Sequence, residues 1–312
     1  MHMKRDNSAL RIVSLIPSAT EIVAALGYGD RIVGRSHECD YPSFVSDLPI
    51  CTEPKFDPVG TSQEIHQRVS DLLSSALSVY RVKTDVLAGL KPTHIITQAQ
   101  CEVCAVSLAD VEKAVADLVS DTLHPKVISL QPERLDDVWA DMRSVAIALG
   151  QQEAAIERAI AQFTERLRPV QTQNAPKVAC IEWTDPLMAA GNWVPELVEL
   201  AGGVDCLGEA GAHSAWLTWE ELISADPDVI VVLPCGYDLS QTRKATEDMA
   251  AHSQWHGLKA VKKGEVYLTD GNQFFNRPGP RLVDSYDILT EIIQQKAPSS
   301  ARSAKGWEKW QR

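Results

Sequence analysis

The stretch RIVSLIPSATEIVAALGYGDRIVGRS, residues 11–36, constrains the fold more than any other part of the chain. Ile12–Ile16 is a short aliphatic run, the pattern of a buried strand. Pro17-Ser18 follows at once, and Ser18 or Thr20 can cap a helix that runs to a stop at Gly27. DRIVGRS then reads as a second strand. A strand, a helix and a strand with such tight joins form the repeating unit of a parallel sheet.

The same alternation continues. EIHQRVSDLLSSALSVYRV is an amphipathic helix, TDVLAGLKPTHIITQ a helix, a Lys-Pro break and a strand, LADVEKAVADL a helix and KVISL a strand. From Leu135 to about Pro169 the helical period runs almost unbroken, interrupted only at Gly150, so one long helix or two in sequence fill this region. Strands and helices then alternate again through KVACIEW, VPELVELAGG, TWEELISADPDVIVVLP and GEVYLTD, and RLVDSYDILTEIIQQ is the last helix. The expected organisation is an α/β region over 10–134, a linking helix over 135–170, a second α/β region over 171–298 and a loose polar tail over 299–312. One layout occurs twice. In DVLAGLKPTHII and EELISADPDVIV a carboxylate (Asp85, Glu220) opens a helix, a proline (Pro92, Pro227) comes seven residues later, and a strand follows. The two α/β regions therefore look like variants of one unit, although helix–Pro–strand joins are common in α/β proteins.

Composition excludes some classes of function. The net charge is −12 and no basic stripe exists, which argues against a nucleic-acid partner. No apolar run reaches the roughly 18–20 residues that span a bilayer, so membrane insertion is not expected. No apolar core follows Lys4 and Arg5, as a secretory leader would require. The seven cysteines are odd in number and scattered, which suits a reducing compartment. Both features point to the cytoplasm for the chain as it stands, and to the periplasm or cell surface if a leader has been removed.

Ligands of open α/β sheets sit beyond the carboxyl ends of the strands. The segments there are SHECDYP, QAQCEVC, WTDP, CGYD and DGNQFFNRPGPR, with GNWVP behind the fourth strand end. Five of the eight tryptophans lie between Trp183 and Trp255. Aromatic rings with a few polar groups suit a large, flat ligand. Trp183 and Trp193 fit core positions at helix–sheet contacts equally well, and Arg277 and Arg281 fit surface ion pairs. There is no Gly-x-Ser-x-Gly elbow, no phosphate-binding loop and no dinucleotide fingerprint, so no enzyme is expected and no catalytic residue is assigned. Cys101 and Cys104 leave three readings open. With His37 and Cys39 they make a Cys3His set of the kind that binds zinc; they could be a redox pair; or they line the wall of a pocket. A cytosolic metal-binding or redox protein using His37, Cys39, Cys101 and Cys104 is the alternative to a ligand binder.

The motifs RIVSLIPSATEIVAALGYGDRIVGRS with CDYP, LKPTHIIT, the long helical stretch, GNWVPELVELAGG, TWEELISADPDVIVV and FNRPGPRLVD resemble the helical-backbone substrate-binding proteins of ABC importers, and among these the vitamin B12-binding proteins. The resemblance covers about residues 10–295. It implies two Rossmann-like α/β lobes joined by a long rigid backbone helix, with a ligand cleft between them and a monomeric receptor. The implied ligand is a cobalamin-like corrinoid or a related metal chelate such as a siderophore or haem, with no covalent cofactor. The implied contacts are His37, Glu38, Cys39, Gln98, Gln100, Cys101 and Cys104 from the first lobe. From the second they are Trp183, Asp185, Trp193, Trp216, Tyr237, Phe274, Phe275 and Arg277. The family docks on its permease through one acidic residue per lobe, which maps onto Asp85 and Glu220. Where the B12 binders carry aromatics, this chain has His37-Glu38-Cys39 and Gln98–Cys104, a more polar, sulfur-bearing wall. A corrinoid cobalt accepts an imidazole nitrogen on its axial face, and His37 is the candidate donor.

Overall fold

A computed structural model describes residues 10–74, 79–98, 108–118, 124–298, 300 and 303–311. The chain divides into two compact units, Met1–Pro58 with Gln67–Gln131 and Trp139–Ile160, and Val59–His66 with Pro132–Val138 and Ala161–Arg312. Gln100, Cys101 and Cys104 lie outside the described residues.

The elements up to the helical stretch are β1 (Ile12–Ser14), α1 (Pro17–Ala25), β2 (Ile32–Arg35), β3 (Thr52–Pro54), α2 (Ser62–Ser74), β4 (Tyr80–Val82), α3 (Thr84–Leu90), β5 (His94–Gln98), α4 (Leu108–Leu118) and β6 (Lys126–Leu130). The main sheet has the order β2-β1-β5-β6, and every neighbouring pair is parallel. Of its central strands, β1 is buried throughout and β5 everywhere but at His94, as strands covered on both faces must be. Val13, Leu15, Ile95, Leu87 and Val111 share one core. β3 and β4 form a separate antiparallel pair. α1 starts two residues earlier than a Ser18 cap, and four earlier than a Thr20 cap, would place it. Pro17 occupies the first turn and Ile16 is the N-cap, without a side-chain cap. Proline suits that position because its missing N–H has no partner inside the helix anyway.

The helical stretch is two helices, α5 (Leu135–Ala148) and α6 (Glu153–Thr164), the second of the alternatives left open by the sequence. A single long helix is ruled out at Gly150, which sits at φ +83°, a left-handed conformation that a helix interior does not adopt.

The second unit continues with β7 (Lys177–Thr184), β8 (Leu187–Ala189), α7 (Val194–Leu200), β9 (Val204–Asp205), β10 (Ala215–Trp216), α8 (Trp219–Ala225), β11 (Val229–Val232), α9 (Leu239–Ala250), α10 (Lys259–Lys263), β12 (Val266–Thr269), α11 (Leu282–Ile293), α12 (Ser303–Gly306) and β13 (Trp307–Lys309). Its sheet runs β10-β8-β7-β11-β12-β13, with β9 beside β7. β7, β11 and β12 are parallel, and β8 and β13 are antiparallel to their neighbours β7 and β12. Ala179, Ile181, Ile230, Val232, Val266 and Leu268 pack with a fully buried Trp255 in one core.

The tail differs from expectation. Residues 307–309 pair with β12, Trp307 donates its indole N–H to Glu291 at 2.8 Å, and Trp310 meets the edge of Trp255 at 5.6 Å. The charged residues around these tryptophans make the segment read as polar, but the aromatic rings have core surface to cover.

The repeated helix–Pro–strand layout is real at the level of backbone geometry. α3 and α8 are both seven residues long, with Asp85 and Glu220 at the second position of each. Each helix ends in a left-handed residue, Lys91 at φ 47° and Asp226 at φ 46°, directly before the proline. Each following strand begins two residues after that proline.

Candidate functional site

In the first unit the segment after β2 is held from beneath by Arg35. Its guanidinium is buried and donates to the carbonyls of Ser36 at 3.1 Å, Cys39 at 3.0 Å and Ser46 at 3.0 Å. A fixed, planar, five-donor group is suited to gathering several carbonyls of one loop. His37 is half-buried. Its backbone N–H donates to Thr52 Oγ1 at 3.1 Å, its Nδ1 lies 2.8 Å from the same oxygen, and its ring tilts against Tyr80 at 5.1 Å. Burial, together with the positive charges of Lys83 and Arg35, pulls the imidazole down to about 4, with Glu53 opposing. The ring is therefore neutral at physiological pH. Glu38 accepts a hydrogen bond from the Tyr80 hydroxyl at 3.0 Å. Cys39 is buried, with its sulfur 3.1 Å from the Thr20 hydroxyl. Gln98 ends β5 and is buried. His37 and Cys39, although two residues apart, engage different partners, Thr52 and Thr20. Among the described residues no group of three or more His, Cys, Asp or Glu side chains could hold a metal ion. The two cysteines proposed to complete such a set, Cys101 and Cys104, fall outside those residues. Asp85 is exposed on the first turn of α3.

In the second unit the carboxyl ends of β7, β11 and β12 bring much of the expected set together. Trp183 is half-buried, donates to the Asp185 carbonyl at 3.0 Å, and tilts against Tyr237 with ring centres 5.3 Å apart. Asp185 itself is exposed. A hydroxyl chain runs beneath these rings. Ser62 Oγ is 2.8 Å from Thr184 Oγ1 and 3.3 Å from the Tyr237 hydroxyl. Trp216 is 58% exposed and meets the His66 imidazole edge-on at 5.0 Å. Beside β7 lies a cavity of about 470 Å³ whose lining includes Ser62, Thr184, Asp185, Trp219, Glu220 and His252. The Trp219 indole stacks on His252 at 4.0 Å, nearly parallel.

The remaining expected contacts point inward. Trp193 is buried and donates its indole N–H to the Phe275 carbonyl at 2.7 Å. Phe274 and Phe275 are buried as well, and Phe275 takes φ +65° with its N–H donating to Ser285 at 3.0 Å. These three hold the loop after β12 rather than offer surface. Arg277, on that loop, is buried and donates to Asn272 at 2.9 Å. The Asn276 amide ties the loop to the carbonyl of Leu233 at 2.9 Å, just past β11.

Several site residues escaped the sequence. Thr184 was readable as the neighbour of Trp183 at a strand end, and Arg35 as the last residue of β2. Ser62, Thr52 and Tyr80 come from segments with no motif, and only the fold brings them in. Glu182 is a further case. It lies at the irregularity in β7, accepts from Ser214 at 2.8 Å, and burial lifts its carboxyl from 4.5 to about 7.

The comparisons with known proteins agree with this architecture. The sequence matches the periplasmic binding protein family over residues 12–272. It is 24% identical to the vitamin B12-binding protein of Vibrio cholerae over 293 residues, covering 92% of this chain and 90% of the relative. It is also 24% identical to an uncharacterized ABC transporter substrate-binding lipoprotein of Bacillus subtilis, YvrC, over 91% of this chain and 79% of the relative. Among solved structures, the periplasmic haem-binding protein RhuT of Roseiflexus shares the fold, with a TM-score of 0.66, 23% identity, and coverage of 92% of this chain and 98% of that one. With a match that runs over most of its length, this chain belongs to the periplasmic binding protein family.

Proposed function

We propose that the chain is a substrate-binding protein for a cobalamin-like corrinoid or a related metal chelate, such as haem or a siderophore, serving ABC-type uptake or intracellular handling. The observation that carries this reading is the carboxyl edge of the second unit, where Trp183 tilts against Tyr237 and the Tyr237 hydroxyl joins the Ser62–Thr184 hydroxyl pair, with exposed Trp216 on the edge strand β10 against His66. Broad apolar faces with a few fixed polar groups suit a large planar ligand with a polar rim. The names of the relatives, a vitamin B12-binding protein and a haem-binding protein, support the same ligand class. Asp85 and Glu220 serve as permease contacts in this reading. Both are exposed, and both occupy the second position of the same short helix–Pro–strand module. An exposed carboxylate on a first helical turn is available to a guanidinium partner.

Calorimetric and spectroscopic titration with cyanocobalamin, ferric haem and a ferric siderophore tests the proposal. At least one should bind with a Kd of about 1 μM or tighter. No heat and no spectral change with all three would remove the chelate-binding reading.

A further inference from the structure

We infer that residues 59–66 form a displaceable strap on the carboxyl edge of the second unit, with the Ser62 hydroxyl holding the polar groups that the rim of the ligand takes over. The inference rests on the chelate-binding reading above and adds to it a segment that the ligand must dislodge.

Thr184 and Tyr237 supply fixed polar groups at that edge, yet they are only 5% and 7% exposed. Ser62 lies against both hydroxyls. It is 6% exposed itself, and its Oγ sits 2.8 Å from Thr184 Oγ1 and 3.3 Å from the Tyr237 hydroxyl. A ligand reaches these two groups once Ser62 has left. The same segment lies against the exposed aromatic surface, because the His66 imidazole meets Trp216 edge-on at 5.0 Å.

The segment is a separate piece of the fold. Val59–His66 groups with the second unit, although the chain up to Pro58 and from Gln67 groups with the first. It lies between CDYP and LKPTHIIT, outside every motif that carries the family resemblance. Its geometry is set locally by a capping box. The Thr61 N–H donates to Glu64 Oε2 at 2.9 Å and the Glu64 N–H to Thr61 Oγ1 at 3.3 Å, which starts α2 at Ser62. Thr61, Ser62 and Gln63 also line the 470 Å³ cavity beside β7. Ser62 links Thr184, which lines that cavity, to Tyr237, so its departure extends the space toward the Trp183–Tyr237 ring pair. The contacts to Thr184, Tyr237 and Trp216 are of a kind a ligand can replace. A neutral hydroxyl bond contributes little net of the water that takes its place, and an aromatic edge contact is comparable. A strap seated in this way lowers the apparent affinity by the fraction of molecules in which it is closed.

Two variants test the strap, with cyanocobalamin and ferric haem as probes. Ser62→Ala removes both hydroxyl bonds and suits the first turn of a helix. It should raise the affinity for the probe that binds by about tenfold, as expected from two lost bonds that favour the closed form. Equal affinity in wild type and Ser62→Ala overturns the inference. Weaker binding overturns it as well, because Ser62 is then a ligand contact. Ser62→Cys puts a thiol at the covered position. Alkylation by iodoacetamide is read by mass spectrometry on the tryptic peptide of residues 56–68, which separates it from the native cysteines. The rate should be at least about fivefold higher at saturating probe, since reactivity follows exposure. A rate that falls or stays the same shows a seated segment and overturns the inference. Should one variant not fold, the other decides. Binding of a probe with Ser62 unmoved removes this inference alone, whereas failure of both probes to bind wild type and Ser62→Ala removes it together with the chelate reading.

Discussion

Trp193→Phe isolates the bond that fixes the loop after β12. The indole N–H donates at 2.7 Å to the carbonyl of Phe275, a residue with no exposed surface and a left-handed backbone. Phenylalanine keeps most of the apolar body and removes the donor. The orphaned, buried carbonyl then costs about 1–3 kcal/mol. The smaller ring adds about 1 kcal/mol for the space it vacates. Part of this is recovered, because a non-glycine residue in the left-handed region stores roughly 1–3 kcal/mol that a released loop can relax. The expected net loss is about 2 kcal/mol, or a fall of roughly 4–8 °C in Tm for a unit of this size. Seven of the eight tryptophans, all but Trp139, lie in the second unit, so tryptophan fluorescence during urea unfolding reports mainly on it. Ser285→Ala removes the bond at the other side of Phe275, donated at 3.0 Å by its backbone N–H. If both bonds hold one strained residue, the double variant should show a coupling of at least about 0.5 kcal/mol. A Trp193→Phe loss below about 0.5 kcal/mol with no coupling would show that packing, rather than this bond, sets the loop.

Three further predictions concern other parts of the fold. Glu182 has its folded pKa raised from 4.5 to about 7, so the folded state holds a proton that the unfolded state has released. The contribution of Glu182 to stability should then be greatest below pH 4.5 and fall as pH rises toward 7, by up to about 1.4 kcal/mol per pH unit, so wild type minus Glu182→Gln in urea melts across the range should show that slope. Gly34→Ala would place a Cβ 2.5 Å from Leu90 Cδ1 and 2.7 Å from Cys51 Sγ in the core of the first unit, costing about 1–3 kcal/mol. Gly89→Ala, on α3 with nothing within 4 Å of the added carbon, should instead stabilise by roughly 0.5–1 kcal/mol, and equal effects at the two sites would contradict the packing described. Reversing Asp85 and Glu220 to lysine should abolish transport in cells and leave ligand affinity unchanged; unaltered transport removes the docking role.

How much of this was legible in the sequence depended on whether a residue sat in a repeating element. Periodicity located β1, β5, β7 and β11 because each is an aliphatic run bounded by turn residues, and it marked Gly150 because a single residue interrupts an otherwise regular stretch. The paired Asp85 and Glu220 modules were legible for the same reason, since both are local. Loop side chains have no such period. Trp193, Phe274 and Phe275 were expected to face a ligand because they follow strand ends, and the fold turns all three inward. No pattern in the chain separates an aromatic residue that lines a site from one that supports it. The C-terminal segment failed for the opposite reason. Its charges outweigh Trp307 and Trp310 in any average of polarity, yet it is the two rings that bind it to the sheet and to Trp255.

His37 shows where a single residue type stops being informative. In the sequence it stood beside Cys39, and a shared metal was one of the readings left open, with a redox pair and a pocket wall. The fold separates them through two threonines. The Thr20 hydroxyl lies 3.1 Å from the buried Cys39 sulfur, whereas Thr52 Oγ1 lies 2.8 Å from His37 Nδ1. Thr20 sits on α1, and Thr52 opens β3 thirteen residues after Cys39. Neither is part of any motif. The chemistry offered after β2 is thus decided by two hydroxyl groups whose positions follow from the fold alone.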